Sequence, residues 1–339
     1  MRAPKRAPGR SRAVPKAVAM QLAPLSADDY VREVLPHSAA LWAGGRSYDE
    51  YVDDFRAVVA TGFGRRRFRT LAFVLDGAVV TSCKRYQREL RCGDRVLRAT
   101  GIGAVITPDA LRGRGYATAF LGAMLDAERA AGTDIVFLFS DIHPAFYEKL
   151  GFVKLPSRAI ALRADALPHA RVATRTLDDA DWPAIERCFT AHEALRPFAL
   201  TRPPLVWEWI RLLGRGRAGD APNLRLGIMR GRRLVAYVRG RRYPGTDAFA
   251  LDECAFVDDD AALQLPALVR NAAGDLRRIT GWLPPSPVRE LLPRGAVRAR
   301  TSAITMMLPL SPAARASWRS EAARVGSGAA DAVWSADHV

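Results

Sequence analysis

The order of strands and helices read over residues 20–168 is met again, more faintly, over residues 169–310, and this repetition limits the fold more than any other feature. In the first stretch a strand at 21–24 leads to a helix opened by Ser26. Asp28 and Asp29 lie in its first turn, where the positive end of the helix dipole favours carboxylates. A second helix is expected at 48–61, then strands at 69–75, 79–89 and 96–107, joined by turns at Asp76-Gly77 and Cys92-Gly93-Asp94. A helix from about Gly113 to Ala131 stops at Gly132, and the apolar run Ile135–Phe139 reads as a buried strand. A short helix begins at Pro144, and a last strand covers 152–162.

The second stretch repeats this with strands at 171–176, 224–229, 232–241, 248–257, 278–283 and 299–308. Its helices are expected near Asp178, over 205–213, over 261–276 and near 288. The predicted fold class is α/β: two domains, each a mixed, mostly antiparallel sheet flanked by helices, joined near 168–170. Residues 311–339 are small and polar and read as a loosely held tail. There is no run of about 18 apolar residues, the length a membrane-spanning helix needs.

The net charge of +16 is unevenly spread. Residues 1–19 carry six basic and no acidic side chains, and without them +10 remains. This Arg-, Ala- and Pro-rich segment has too few apolar residues for a secretory signal and reads as a disordered basic arm. Only five of the 51 basic residues are lysine, so nucleotide composition explains part of the bias and weakens any inference of a nucleic-acid partner. Cys83, Cys92, Cys188 and Cys254 show no metal spacing and no secreted framework. They read as reduced packing residues of a cytoplasmic protein, although Cys83 and Cys92 could approach each other across a hairpin.

The stretch from Gly101 to Phe152 carries the chemistry. A strand ends at Thr107-Pro108, a glycine-rich turn follows, and a helix begins with Ala117, Phe120, Leu121, Met124 and Leu125 on its core face. Gly113 and Gly115 put no side chain over the turn, so successive backbone N–H groups can converge on an anion at the positive end of the helix. Arg112 and Arg114 add positive charge. This is a pyrophosphate cradle. The lysine-bearing GxxxxGK[ST] loop and the GxGxxG dinucleotide fingerprint are both absent. Arg211–Gly216 also fits Arg-x-x-Gly-x-Gly, but it ends a helix and runs into a loop, so it forms no cradle.

This arrangement resembles the GCN5-related N-acetyltransferase (GNAT) family. Its signature Arg/Gln-x-x-Gly-x-Gly/Ala is matched by Arg112, Gly115 and Ala117, and FYEKLGF at 146–152 resembles the family's later motif. The resemblance covers about residues 69–162. It implies that the amides of Gly113, Arg114, Gly115, Tyr116, Ala117 and Thr118 hold the pyrophosphate of acetyl-CoA, the acyl donor. It also implies that Val105, Ile106 and Thr107 pair with the pantetheine arm and polarise the thioester. Ser140 then sits where many relatives carry asparagine.

Tyr147 falls where the family often has a tyrosine that protonates the departing sulfur. A phenol, protonated at neutral pH, suits that role. The glutamate that members often place on the preceding strand is missing. Asp141 and His143 are candidates for the base and equally for helix caps at Pro144, and Glu89 is a distant third.

In the second half the corresponding junction reads Phe256-Val257-Asp258-Asp259-Asp260. Three carboxylates repel a pyrophosphate but cap a helix well, so this half is a degenerate copy. Trp207, Trp209 and Trp282 are core aromatics or line a substrate cleft against the first domain. The tandem plan is similar to the enhanced-intracellular-survival type of acetyltransferase, whose extra C-terminal domain the tail is too short to form, so its substrates are not carried over.

The expected activity is transfer of acetyl from acetyl-CoA to a primary amine of a small molecule or protein by direct attack, without a metal. Two rivals stay open: a non-catalytic CoA-binding module, and a nucleic-acid-binding protein working through the basic arm.

Overall fold

The computed structural model describes residues 20–141, 143–168, 172–214, 223–282, 288–318 and 333–338. The basic arm of residues 1–19, the expected junction at 169–170 and the end of the Arg211–Gly216 motif lie outside the described residues. Among the described residues no helix is long and apolar enough to cross a membrane.

The first half runs β1 (Gln21–Leu25), α1 (Ala27–Glu33), α2 (Leu35–Trp42), α3 (Tyr48–Ala60), α4 (Gly62–Arg67), β2 (Phe68–Leu75), β3 (Ala78–Cys92), β4 (Arg95–Ile106), α5 (Tyr116–Ala130), β5 (Ile135–Ser140), α6 (Pro144–Glu148), β6 (Val153–Lys154) and β7 (Arg158–Arg163). The second half runs β8 (Thr174–Thr176), α7 (Trp182–Ala194), β9 (Phe198–Leu200), α8 (Pro204–Leu213), β10 (Asn223–Arg230), β11 (Arg233–Tyr243), β12 (Ala248–Phe256), α9 (Asp259–Leu263), α10 (Leu265–Ala273), β13 (Arg278–Trp282), β14 (Val297–Ala299) and β15 (Ile304–Pro309).

Local chemistry sets many of these boundaries. Ser26 accepts a hydrogen bond from the Asp29 amide at 3.1 Å and opens α1. Ser47 and Glu50 form a reciprocal capping box on α3, whose Tyr51, Val52 and Phe55 are buried. Between the helix expected at 48–61 and the strand expected at 69–75, Gly62–Arg67 forms a further helix, α4. Thr61 caps it, and Glu208 of α8 accepts from the Gly62 and Phe63 amides at 2.8 and 3.2 Å. That carboxylate comes from 146 residues away, so the local sequence gave no sign of it.

Two sheets result, and each borrows its last strands from the other half. The first has the order β1-β2-β3-β4-β5-β15-β6, with β9 added on β3; the second has the order β14-β7-β13-β12-β11-β10-β8. The single strand expected at 152–162 breaks around Pro156, which has no N–H to give a ladder. Its first part, β6, stays beside β15, and its second part, β7, pairs with β13. The strand expected at 299–308 breaks likewise: β14 joins β7, while β15 lies antiparallel to β5. The two crossing connections bind each other, with the Arg300 amide donating to the Ser157 carbonyl and the Thr305 amide to the Ser157 hydroxyl. A division of the sheets at residue 168 therefore does not hold, because 158–163 and 304–309 are exchanged.

Two further expectations are corrected. Cys83 and Cys92 lie on one strand, β3, and cannot pair across a hairpin; all four cysteines are free and buried. The end of the chain is not loosely held throughout. Residues 312–318 are helical, and Trp334 and Asp337 are buried. Asp337 lies between Arg88 of β3 at 2.8 Å and Arg202 at 2.9 Å, all three side chains essentially without exposure. Arg202 continues to Glu253 of β12 at 2.7 Å, and Glu253 accepts from Tyr237 at 2.6 Å. Burial pushes the Asp337 carboxyl up, but Arg202 and Arg88 outweigh it and hold it below the usual range.

Candidate active site

The site is made where β4 and β5 part. The two strands pair in parallel from Ala99↔Ile135 to Ile102↔Leu138 and no further. Beyond Ile102, β4 carries a bulge against β3 between Ser82 and Lys84, and Ala104 adopts φ +49°. A non-glycine residue in this region costs roughly 1–3 kcal/mol, held by surrounding structure, and such strain clusters at functional sites. Past its bonded length, β4 turns residues 103–107 towards an opening, while β5 beyond Leu138 bonds only to β15.

The opening leads into a cavity of about 800 Å³. Val105, Ile106, Thr107, Arg112, Gly113, Ala117, Ser140 and Tyr147 line it. Of the other residues expected at the cofactor, Arg114, Gly115, Tyr116 and Thr118 lie outside the lining, on the turn entering α5. That helix starts at Tyr116 rather than near Gly113, because Gly113 and Gly115 take φ of +76° and +79°. A β-carbon added at either would meet no atom within 4 Å, so the turn is open as well as left-handed. The amides of Tyr116, Ala117 and Thr118 are the first three of α5 and have no carbonyl one turn back; Ala119 makes the first intrahelical bond, to Gly115 at 3.0 Å. Arg112 reaches back to the Thr107 carbonyl at 3.2 Å and pairs with Asp109 at 2.7 Å. These residues fit a diphosphate with a slender arm running along β4.

Tyr147 stands on α6 against Phe146 and Phe152, on the face of the first sheet covered by α5. Burial, with Cys83 and Asp141 nearby, pushes its phenol up to about 12, so it keeps its proton at neutral pH. Asp141 and His143 also line the cavity; of the two roles considered for them, neither makes a side-chain cap on α6, although His143 stands at its N-cap position. Asp141 accepts from the Ala303 amide at 3.0 Å, and His143 makes no side-chain cap bond. Glu89 is outside the cavity, paired with Arg67 at 2.9 Å.

Apart from Trp209, the far wall was not legible in the sequence. Leu41, Trp42, Tyr51 and Phe55 come from α2 and α3, Lys84 and Tyr86 from β3, Trp209 and Leu213 from α8, and His338 from the chain's end. Of the three tryptophans considered, only Trp209 lines the cavity, stacked on Phe63 at 5.1 Å. Trp207 lies under Arg202, and Trp282 under Arg300. Lys84 is held 5.6–5.9 Å from the rings of Tyr30, Tyr51 and Phe55. Asp54 accepts from Arg46 at 2.5 Å. The wall is thus mainly aromatic, with few charges.

Comparison with known proteins agrees with this geometry. Residues 25–154 match the acetyltransferase (GNAT) domain family. A lysine acetyltransferase of Yarrowia lipolytica is 27% identical over 160 residues, which are 40% of this chain and 41% of that protein. The chain therefore spans about two-fifths of that relative's length. Among solved structures, a GCN5-related N-acetyltransferase from Anabaena variabilis superposes with a TM-score of 0.69 at 15% identity, covering 86% of this chain and 73% of the other. One from Kribbella flavida gives 0.66 at 22% identity, covering 87% and 73%. A tandem GNAT protein from the clavulanic acid biosynthesis pathway gives 0.51 at 13% identity, covering 87% and 99%. At these identities the likeness is one of fold.

Proposed function

Because residues 25–154 match the acetyltransferase (GNAT) domain family, we propose that the chain transfers the acetyl group of acetyl-CoA to a primary amine by direct attack. The observation that carries the reading is the parting of β4 from β5 directly beside an unblocked glycine turn. The donor supplies an acyl carbon activated by its thioester bond. The amides from Gly113 to Thr118, with Arg112 and Arg114, bind its diphosphate. Residues Val105–Thr107 hold the arm extended along the free edge of β4, with Ser140 opposite. Tyr147 keeps its proton until the thiolate leaves and then donates it. The aromatic far wall excludes water and receives the acceptor, an amine on a small molecule or on a lysine side chain.

Calorimetry with acetyl-CoA should show uptake of one equivalent, and thiol release should follow addition of amines from a diverse panel. Uptake without thiol release would favour a non-catalytic CoA-binding module. No uptake of any CoA thioester would remove the enzymatic reading. Tyr147→Phe should lower kcat about 10²- to 10⁴-fold, the range typical of a lost general acid, while the acetyl-CoA Kd stays within about twofold. An unchanged kcat would remove the role of Tyr147.

A further inference from the structure

Direct attack needs a group to take the amine proton, and the sequence offers none on β4. Of the residues first considered, Glu89 is outside the cavity, Asp141 accepts from the Ala303 amide, and His143 lines the cavity as an exposed residue ahead of α6. The one other imidazole lining the cavity besides His143 is His338, which belongs to the segment anchored by Asp337.

His338 packs at 5.1 Å from the ring of Phe139 and 6.1 Å from that of Trp282. Its backbone amide donates to the Ser335 carbonyl, and its Nε2 has no hydrogen-bond partner among the described residues while being shielded from solvent. An unpartnered imidazole nitrogen in such a place is costly unless a ligand uses the ring. Its position relative to Tyr147 is specific. Val136 and Leu138 of β5 face the α5 side, where Tyr147 packs. Phe137 and Phe139 face the opposite side, where His338 lies. The acid and the imidazole therefore reach one cavity from opposite faces of the same strand.

Resting on the acetyl-transfer reading above, we propose that His338 is the general base that accepts the proton of the attacking amine. In that step the amine nitrogen forms a C–N bond to the acyl carbon and the C–S bond breaks. One amine proton passes to a ring nitrogen of His338, and the Tyr147 phenol gives its proton to the departing thiolate. The groups facing the imidazole are Asp141 from the end of β5 and Arg300 from the connection before β15. Burial pulls the imidazole below its ordinary value, Asp141 opposes this and Arg300 adds to it, so the ring is neutral and ready to accept a proton at pH 7. Asp337, clamped by Arg88 and Arg202, is the positioning residue that fixes the segment.

The test uses the full chain with acetyl-CoA and 2-phenylethylamine as probe acceptor, comparing wild type, H338Q and H338A. Acetyl-CoA affinity is measured by calorimetry, and the titration of the His338 ring by NMR, its resonance assigned by its loss in H338Q. The expected result is a fall in kcat/KM of about 10²–10⁴-fold in both variants, with acetyl-CoA Kd within twofold. The acid limb of the wild-type profile should share its midpoint with the His338 ring titration and vanish in H338Q. Added imidazole should restore part of the rate in H338A. Retention of the acid limb in H338Q, or a rate within threefold of wild type, would overturn the assignment while leaving acetyl transfer standing. Failure of wild type itself to take up acetyl-CoA is a different result and removes the parent reading together with this one.

Discussion

The junction after β4 and the junction after β12 are the same piece of architecture put to opposite ends. Both strands lie antiparallel to the preceding strand and parallel to the following one, and both carry a one-residue irregularity near the point where the parallel pairing stops. After β4 the chain turns through two left-handed glycines with empty space above them. After β12 it meets Asp258 at φ −157°, whose carboxylate accepts from the Ala261 amide at 2.9 Å and pairs with Arg230 at 2.8 Å. The chain's own end covers the irregular stretch, with Ser335 donating to the Asp252 carbonyl at 3.1 Å. Fold and site thus separate cleanly: the second copy keeps the strand order and gives its cleft to residues 333–338, which in turn complete the wall of the first.

The largest effect should come from breaking that link. Asp337→Asn removes the negative charge shared by two guanidiniums that have almost no exposure. Arg202 keeps Glu253, but Arg88 loses its only ion-pair partner among the described residues. Removing one partner of a buried pair typically costs about 3–5 kcal/mol. Urea unfolding of wild type and variant at pH 7 should show it, and a difference under 1 kcal/mol would mean that the end of the chain is not integral. The pH dependence has a definite sign. The folded Asp337 carboxyl lies below its unfolded value, so its contribution is fully present above about pH 3.9, the unfolded value, and is lost as pH falls through the depressed folded one. The gap between wild type and variant should therefore narrow only in acid.

Legibility in the sequence followed the range of the forces involved. The left-handed glycine turn before α5, the short helix carrying Tyr147, the cap at Ser26 and the central strands of both copies rest on residues a few positions apart, and all could be read. Helix α4 is stabilised by Glu208, the exchange of β7 and β15 by pairing across the whole chain, and the seat of His338 by an ion pair spanning 249 residues. No local pattern encodes those. The one available signal for the chain's end was its composition: Trp334, Asp337 and His338 stand apart from the small residues before them.

A smaller effect, but one aimed at the cradle itself, comes from giving the first junction the chemistry of the second. Gly115→Asp places a carboxylate where the amides of Tyr116, Ala117 and Thr118 would meet a diphosphate. Aspartate tolerates the left-handed conformation better than most residues, and open space surrounds the position, so the fold should survive. The acetyl-CoA Kd should rise at least about 100-fold, equivalent to roughly 2.7 kcal/mol. Unchanged affinity in a folded variant would show that the turn is not where the diphosphate sits, and the contrast between the two junctions would lose its functional meaning.

The reverse exchange should do least. Asp258→Ala takes away the cap of α9 and one half of an ion pair in which both side chains are about half exposed. Loss of an N-cap costs about 0.5–2 kcal/mol and the exposed pair adds little. Near 1 kcal/mol is therefore expected, with catalysis at the first junction unchanged. No second equivalent of acetyl-CoA should bind, because removing a carboxylate does not create a left-handed glycine turn or displace Ser335 from the Asp252 carbonyl. Should calorimetry on the variant find two equivalents, then charge alone keeps the second copy empty. The closure by backbone and chain end would then be a secondary feature.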